Sequence, residues 1–124
     1  MKRLLICFVL TIFFVGTKGQ DFSSAESRAE FITNDMASVV SFTPEQREHA
    51  YKVNMRMEKR IMEIETRYGE NKKAYKKSVR NAEKIRLEDV GSTLSKDQRK
   101  ALRKNRRRFR KSDWKYYKLR RVEK

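Results

Sequence analysis

The sequence predicts an all-α protein, a small elongated bundle of about four amphipathic helices. After residue 19, apolar residues recur at steps of three or four along almost the whole chain, the spacing that gathers them on one face of a helix. No run alternates apolar and polar residues as a half-buried strand would. The composition is 38% hydrophobic and 39% charged, with four Gly and one Pro in 124 residues, which suits helices whose surface greatly outweighs their interior.

Residues 1–19 read as a secretory signal: MKRLLICFVLTIFFVGTKG opens on Lys2 and Arg3, continues with an apolar stretch from Leu4 to Val15, and ends on the small residues Thr17 and Gly19. The apolar stretch is shorter than the ~20 residues of a membrane-crossing helix. Cys7 does not suit a lipoprotein signal, because Ile6 before it is not small. Cleavage after Gly19 leaves a chain without cysteine, which excludes disulfides and thiolate metal sites and fits an oxidising compartment. The expected localisation is outside the cytoplasm.

The helical domain is expected over residues 20–118, with residues 119–124 as a frayed basic C-terminus. The first helix starts at Ser23, a cap to which Glu26 can reach back, and carries Ala25, Ala29, Ile32, Met36 and Val39 or Val40 before ending near Ser41. The second opens at Thr43 and holds Ala50, Val53, Met57, Ile61, Ile64 and Tyr68 on one face, with Gly69 as terminator or interruption. The third runs from about Asn71 to Leu87 on Tyr75, Val79, Ala82 and Ile85, with a break at Gly91, Ser92 and Thr93. The fourth opens at Ser95, holds Leu102 and Phe109, and can continue through Trp114, Tyr116 and Tyr117.

One phrase is written twice, as FTPEQ from Phe42 and as LSKDQ from Leu94. Both are capping boxes: the hydroxyls of Thr43 and Ser95 accept from free amides, and Gln46 and Gln98 return a bond to the cap backbone. Pro44 suits the first helical position, while Glu45 and Asp97 favour the positive end of the helix dipole. Phe42 and Leu94 can plug each helix start into whatever it packs on.

In these residues the chain resembles the LTxxQ proteins of the bacterial periplasm, the Spy/CpxP-like family. Its members have a secretory signal, a small helical body and two Leu-Thr-x-x-Gln motifs at helix starts. FTPEQ and LSKDQ match in number, order and placement, and ITNDMASVVSFTPEQ is similar to the lead-in helix. The resemblance spans roughly Arg28 to Phe109; Phe42 and Ser95 depart from Leu and Thr, and the tail RKNRRRFRKSDWKYYKLRR is more basic and aromatic than the family requires. It implies a periplasmic localisation and an ATP-independent holding chaperone or envelope-stress protein, without a cofactor. It also implies a curved antiparallel homodimer whose basic, apolar-patched face binds unfolded or aggregation-prone envelope proteins. The thin body points the same way, since stripes with little core per residue are best covered by a second copy.

Charge is concentrated at the C-terminus. Without Lys2, Arg3 and Lys18 the chain has 29 basic and 16 acidic residues, and from Lys96 onward 15 basic residues face only Asp97, Asp113 and Glu123. Arg106, Arg107, Arg108, Arg110, Lys111 and Lys115, interleaved with Phe109, Trp114, Tyr116 and Tyr117, form a candidate surface for clients or polyanions. The signal argues against nucleic acid as the partner. Three readings of this segment stay open: capture of acidic unfolded chains, contact with an anionic membrane surface, and a solvated end that aids solubility. Met55, Met57 and Met62 are candidates for an adaptable apolar binding or dimer surface, although Met57, on the regular stripe, reads first as core. His49 alone cannot supply a zinc site. Glu63 and Glu65 fall on different helix faces, and no nucleophile-and-base pattern is present, so no catalysis is expected. Beside the chaperone stand two alternatives: a polyanion or membrane-surface binder, and an adaptor for an envelope stress sensor.

Overall fold

The computed structural model describes residues 24–111 and residue 115. All regular structure among them is helical: α1 Ala25–Val39, α2 Pro44–Arg67, α3 Lys72–Gly91 and α4 Lys96–Lys104. After a turn at Asn105 the chain is helical again over 106–111. The helix α1 packs on α2 and α2 on α3, while α4 touches both α3 and α1.

The sequence stripes form the core. Ile32, Met36 and Val40 meet Ala50, Val53 and Met57, and Val90, Leu94, Leu102 and Phe109 close the same cluster. A smaller cluster holds Ile61, Tyr75, Val79 and Ala82, with Ile64 and Tyr68 at its edge. Along α2 and α3, Glu58 and Arg86 fall in sequence between the two clusters, and both are fully buried.

Several boundaries depart from the sequence expectation. The α1 cap is Ser24, whose Oγ accepts from the Ser27 amide at 3.1 Å; Ser23 lies outside the described residues. The same helix ends at Val39, short of Ser41, because Val40 turns to extended backbone and buries its side chain. Helix α2 ends beside Gly69, with Tyr68 as its C-cap. No described glycine has positive φ, so this is not a left-handed glycine cap. Helix α3 runs one turn past Leu87 because Val90 is needed in the core, and Gly91 belongs to the helix rather than to a break. Ile85, expected inside, is 36% exposed; Glu83 and Arg86 occupy the inward positions instead. Helix α4 stops at Lys104, where Asn105 donates from Nδ2 to the Ala101 carbonyl at 2.8 Å. The proposed continuation through Trp114, Tyr116 and Tyr117 lies outside the described residues.

Candidate functional site

The two copies of the repeated motif are in contact. Each forms a complete capping box: Thr43 Oγ1 accepts from the Gln46 amide and Ser95 Oγ from the Gln98 amide, while each glutamine Oε1 accepts from its cap's own N–H. The glutamines then pair with each other, Gln98 Nε2 donating to Gln46 Oε1 at 2.9 Å and Gln46 Nε2 to Gln98 Oε1 at 3.1 Å. Their second amide hydrogens go to the carbonyls of Ser41 and Thr93. Every donor and acceptor site of both amides is thereby used. Phe42 packs against the core and Leu94 is buried in it. The motif therefore joins the starts of α2 and α4 and makes no opening for a ligand.

A buried ionic network ties α1, α2 and α3 together. Arg28 grips Glu65 through both guanidinium nitrogens, at 2.9 and 3.1 Å. Glu58 lies 3.6 Å from Arg28 and is hydrogen-bonded to Arg86, which also faces Glu83 at 3.4 Å. Sequence reading missed this cluster, because charges at helical spacing ordinarily mark a solvated face. The signal in hindsight is register: Arg28 follows Ala25 by three on the α1 stripe, and Glu58 and Glu65 follow Asn54 and Ile61 by four.

Met57 is core, as its place on the stripe suggests, whereas Met55 and Met62 are half-buried. His49 is half-buried and donates from Nε2 to the Asp89 carbonyl at 2.9 Å, so it ties α2 to the end of α3. Among the described residues, no group of three His, Cys, Asp or Glu could hold a metal ion. No described helix is long and apolar enough to cross a membrane.

The described candidates of the C-terminal segment divide three ways. Phe109 is 1% exposed and belongs to the main core, a correction to its expected role on a binding surface: the turn at Asn105 swings the last helical stretch back onto the bundle. Arg108 is pinned to Asp35 of α1, with Nε donating at 2.8 Å. Arg106, Arg107, Arg110 and Lys111 line open space, and Lys115 is exposed.

That space is a groove between α3 and the stretch from Arg99 to Lys111. Its larger section, about 620 Å³, exposes the half-buried Leu87 above the buried Leu102, and a section of about 270 Å³ adjoins it above the buried Tyr75 and Val79. The two sections share Arg80 and Arg110. One rim is Lys76, Arg80 and Lys84 from α3; the other is Arg99, Arg103, Arg106 and Arg110, with Arg107 and Lys111 beside the smaller section. The aliphatic stems of the exposed Arg80, Lys84, Arg103 and Arg106 extend the apolar lining while their charged heads reach water; Arg99 instead donates from its head to the Leu94 carbonyl. Of the acidic lining residues, Glu83 is turned toward Arg86 and Glu88 is exposed. The potential in the groove is therefore strongly positive.

Sequence reading named Arg106, Arg107, Arg110 and Lys111 of this groove. Arg99, Arg103 and the α3 rim went unrecognised because they carry the same spacing as any solvated helix face. Comparison with protein-family models, with curated proteins and with solved structures finds no match to this chain.

Proposed function

We propose that this protein is an ATP-independent holding chaperone or envelope-stress protein of the bacterial periplasm, akin to the LTxxQ family, that binds unfolded or aggregation-prone proteins. The groove carries the reading. Cations on both rims attract acidic chains at long range, and Leu87 with the arginine stems holds apolar segments at short range. The paired motif supports it differently, by fixing α4 on α2 and so setting one rim of the groove relative to the bundle. Homodimerisation belongs to the same proposal, since α1 presents the partly exposed Phe31, at 44%, and α3 presents Ile85.

The test is a client-aggregation assay with the chain from Gln20 onward and no nucleotide. Suppressed aggregation of two unrelated unfolding proteins near equimolar ratio is the expected result, and a chain ending at Lys111, with the groove intact, should retain most of it. A second reading, binding to an anionic membrane surface, is favoured by the basic residues after Lys96. Binding to anionic vesicles that weakens steeply with salt, with no suppression of aggregation, would replace the chaperone by that reading.

A further inference from the structure

We propose that the groove between α3 and the C-terminal helical stretch accepts an acidic amphipathic helix from a client, rather than an arbitrary unfolded segment. The inference rests on the groove being a client site and adds the conformation and charge pattern of what it holds.

The cations stand in two rows, one on each side of an apolar floor. Lys76, Arg80 and Lys84 are four residues apart on α3, and Arg99, Arg103, Arg106 and Arg110 follow at steps of four, three and four. Along α3, and within each of the helical stretches that carry Arg99 with Arg103 and Arg106 with Arg110, this is about one cation per helical turn, a repeat of roughly 5.4 Å, and the turn at Asn105 separates the two arginine pairs. A helix laid in the groove with an apolar stripe downward and a carboxylate per turn on each flank matches both rows and the floor together. Arginine heads grip such carboxylates through two nitrogens, which adds orientation to attraction.

Other occupants fit less well. A phospholipid carries charge at one end and its chains at the other, so it would be met by cations at one end of the groove and not along both sides. An extended polyanion has no use for the apolar surface that Leu87 and the aliphatic stems of the rim cations present. The chain's own residues beyond Lys111 are net basic, with Lys115, Lys118, Arg120, Arg121 and Lys124 against Asp113 and Glu123, and would be repelled. From Tyr75 to Gly91 the floor rises roughly 24 Å along α3, which a helix of ~16 residues would span.

The test uses the chain from Gln20 onward and two blocked peptides of that length with identical composition. In one, Leu forms a single helical stripe flanked by Glu; in the other the order is scrambled so that no stripe exists. Fluorescence anisotropy should show the striped peptide binding at least tenfold more tightly, and circular dichroism should show it gaining helix on binding. Lys84→Glu with Arg103→Glu should weaken it at least tenfold, whereas Lys96→Glu with Lys100→Glu, equal in charge change and off the groove, should weaken it no more than about threefold. If charge reversal disturbs the thermal melt, Lys84→Gln with Arg103→Gln should still cost at least threefold. Equal binding of the two peptides, or equal losses from the two reversed pairs, would overturn the inference. So would peptide binding that weakens as the protein self-associates, which would assign the groove to a second copy. Aggregation suppression without peptide selectivity would leave the chaperone reading standing and remove this one; selectivity without suppression would do the reverse.

Discussion

Gln46 and Gln98 face each other as a closed amide pair, each donating to the other's Oε1, although they stand 52 positions apart in the chain. Either glutamine alone would complete only its own capping box. Together they anchor the start of α4 to the start of α2, which explains why the phrase is repeated. Glutamate, an equal partner in an isolated capping box, cannot replace glutamine here. Its carboxylate would meet the other glutamine's oxygen and a main-chain carbonyl with no hydrogen to offer.

Replacing Thr43 or Ser95 by Ala removes one cap bond and should cost ~1 kcal/mol each. Gln98→Ala should cost about 2 kcal/mol, because the part-buried Gln46 amide and the Ser41 carbonyl lose their partners as well. Gln98→Glu should cost at least as much as Gln98→Ala. A double-mutant cycle of Gln46→Ala and Gln98→Ala by urea unfolding should give a coupling of about 0.5–1.5 kcal/mol. Additive effects would mean that the two boxes act independently.

The Arg28, Glu65, Glu58, Arg86 and Glu83 network predicts an asymmetric response. Arg86→Met leaves Glu58 and Glu83 without their guanidinium in a buried site and should cost about 3–5 kcal/mol. The exposed Arg56–Asp89 pair, at 3.0 Å, is the control: Arg56→Met should cost at most ~1 kcal/mol. Chemical denaturation of both variants checks the contrast, and similar losses would mean that the buried network is not held as described.

The all-α fold was legible because apolar periodicity depends only on which residues must leave water, and α1 to α4 follow it. The capping boxes were legible because they are local. Their union was not: a hydrogen bond between residues 46 and 98 leaves no trace in either phrase. Buried positions in charged surroundings were harder to read. Arg28 and Arg86 were assigned no role and are buried, since ionic pairing lets a stripe include charge. Phe109 read both as a stripe partner of Leu102 and as part of the basic binding surface, and only the first holds, since the turn at Asn105 brings it into the core.

Phe109 lets that last point be measured. As a core residue its change to Ala should destabilise the fold by about 3–5 kcal/mol through lost burial and a residual cavity. Lys115→Ala, at an exposed position, should change stability by less than ~0.5 kcal/mol. A binding role for Phe109 instead predicts an unchanged melting temperature and faster client release, two readouts that separate the cases cleanly.

Gly91 offers the opposite sign, a substitution expected to stabilise. It is the last residue of α3 and has no positive φ, so its conformation is open to any residue, and the ~0.5–1 kcal/mol that a mid-helix glycine costs relative to alanine is the upper bound at this end. A methyl placed there would meet the Cγ and Cδ of Arg99 at 3.4 Å. Arg99 is exposed and unbranched, held at its head by donation to the Leu94 carbonyl at 2.8 Å, so its stem can shift by a few tenths of an ångström without breaking that bond. The helix term should win because Gly91→Ala adds one carbon against a flexible neighbour. A gain of about 0.5 kcal/mol corresponds to roughly 2–4 °C in melting temperature for a domain of this size. Gly91→Val, with a branched carbon pressed on the same stem, should reverse the sign. A loss of stability in the alanine variant would show that Arg99 is fixed by its neighbours and that this edge of the groove is rigid.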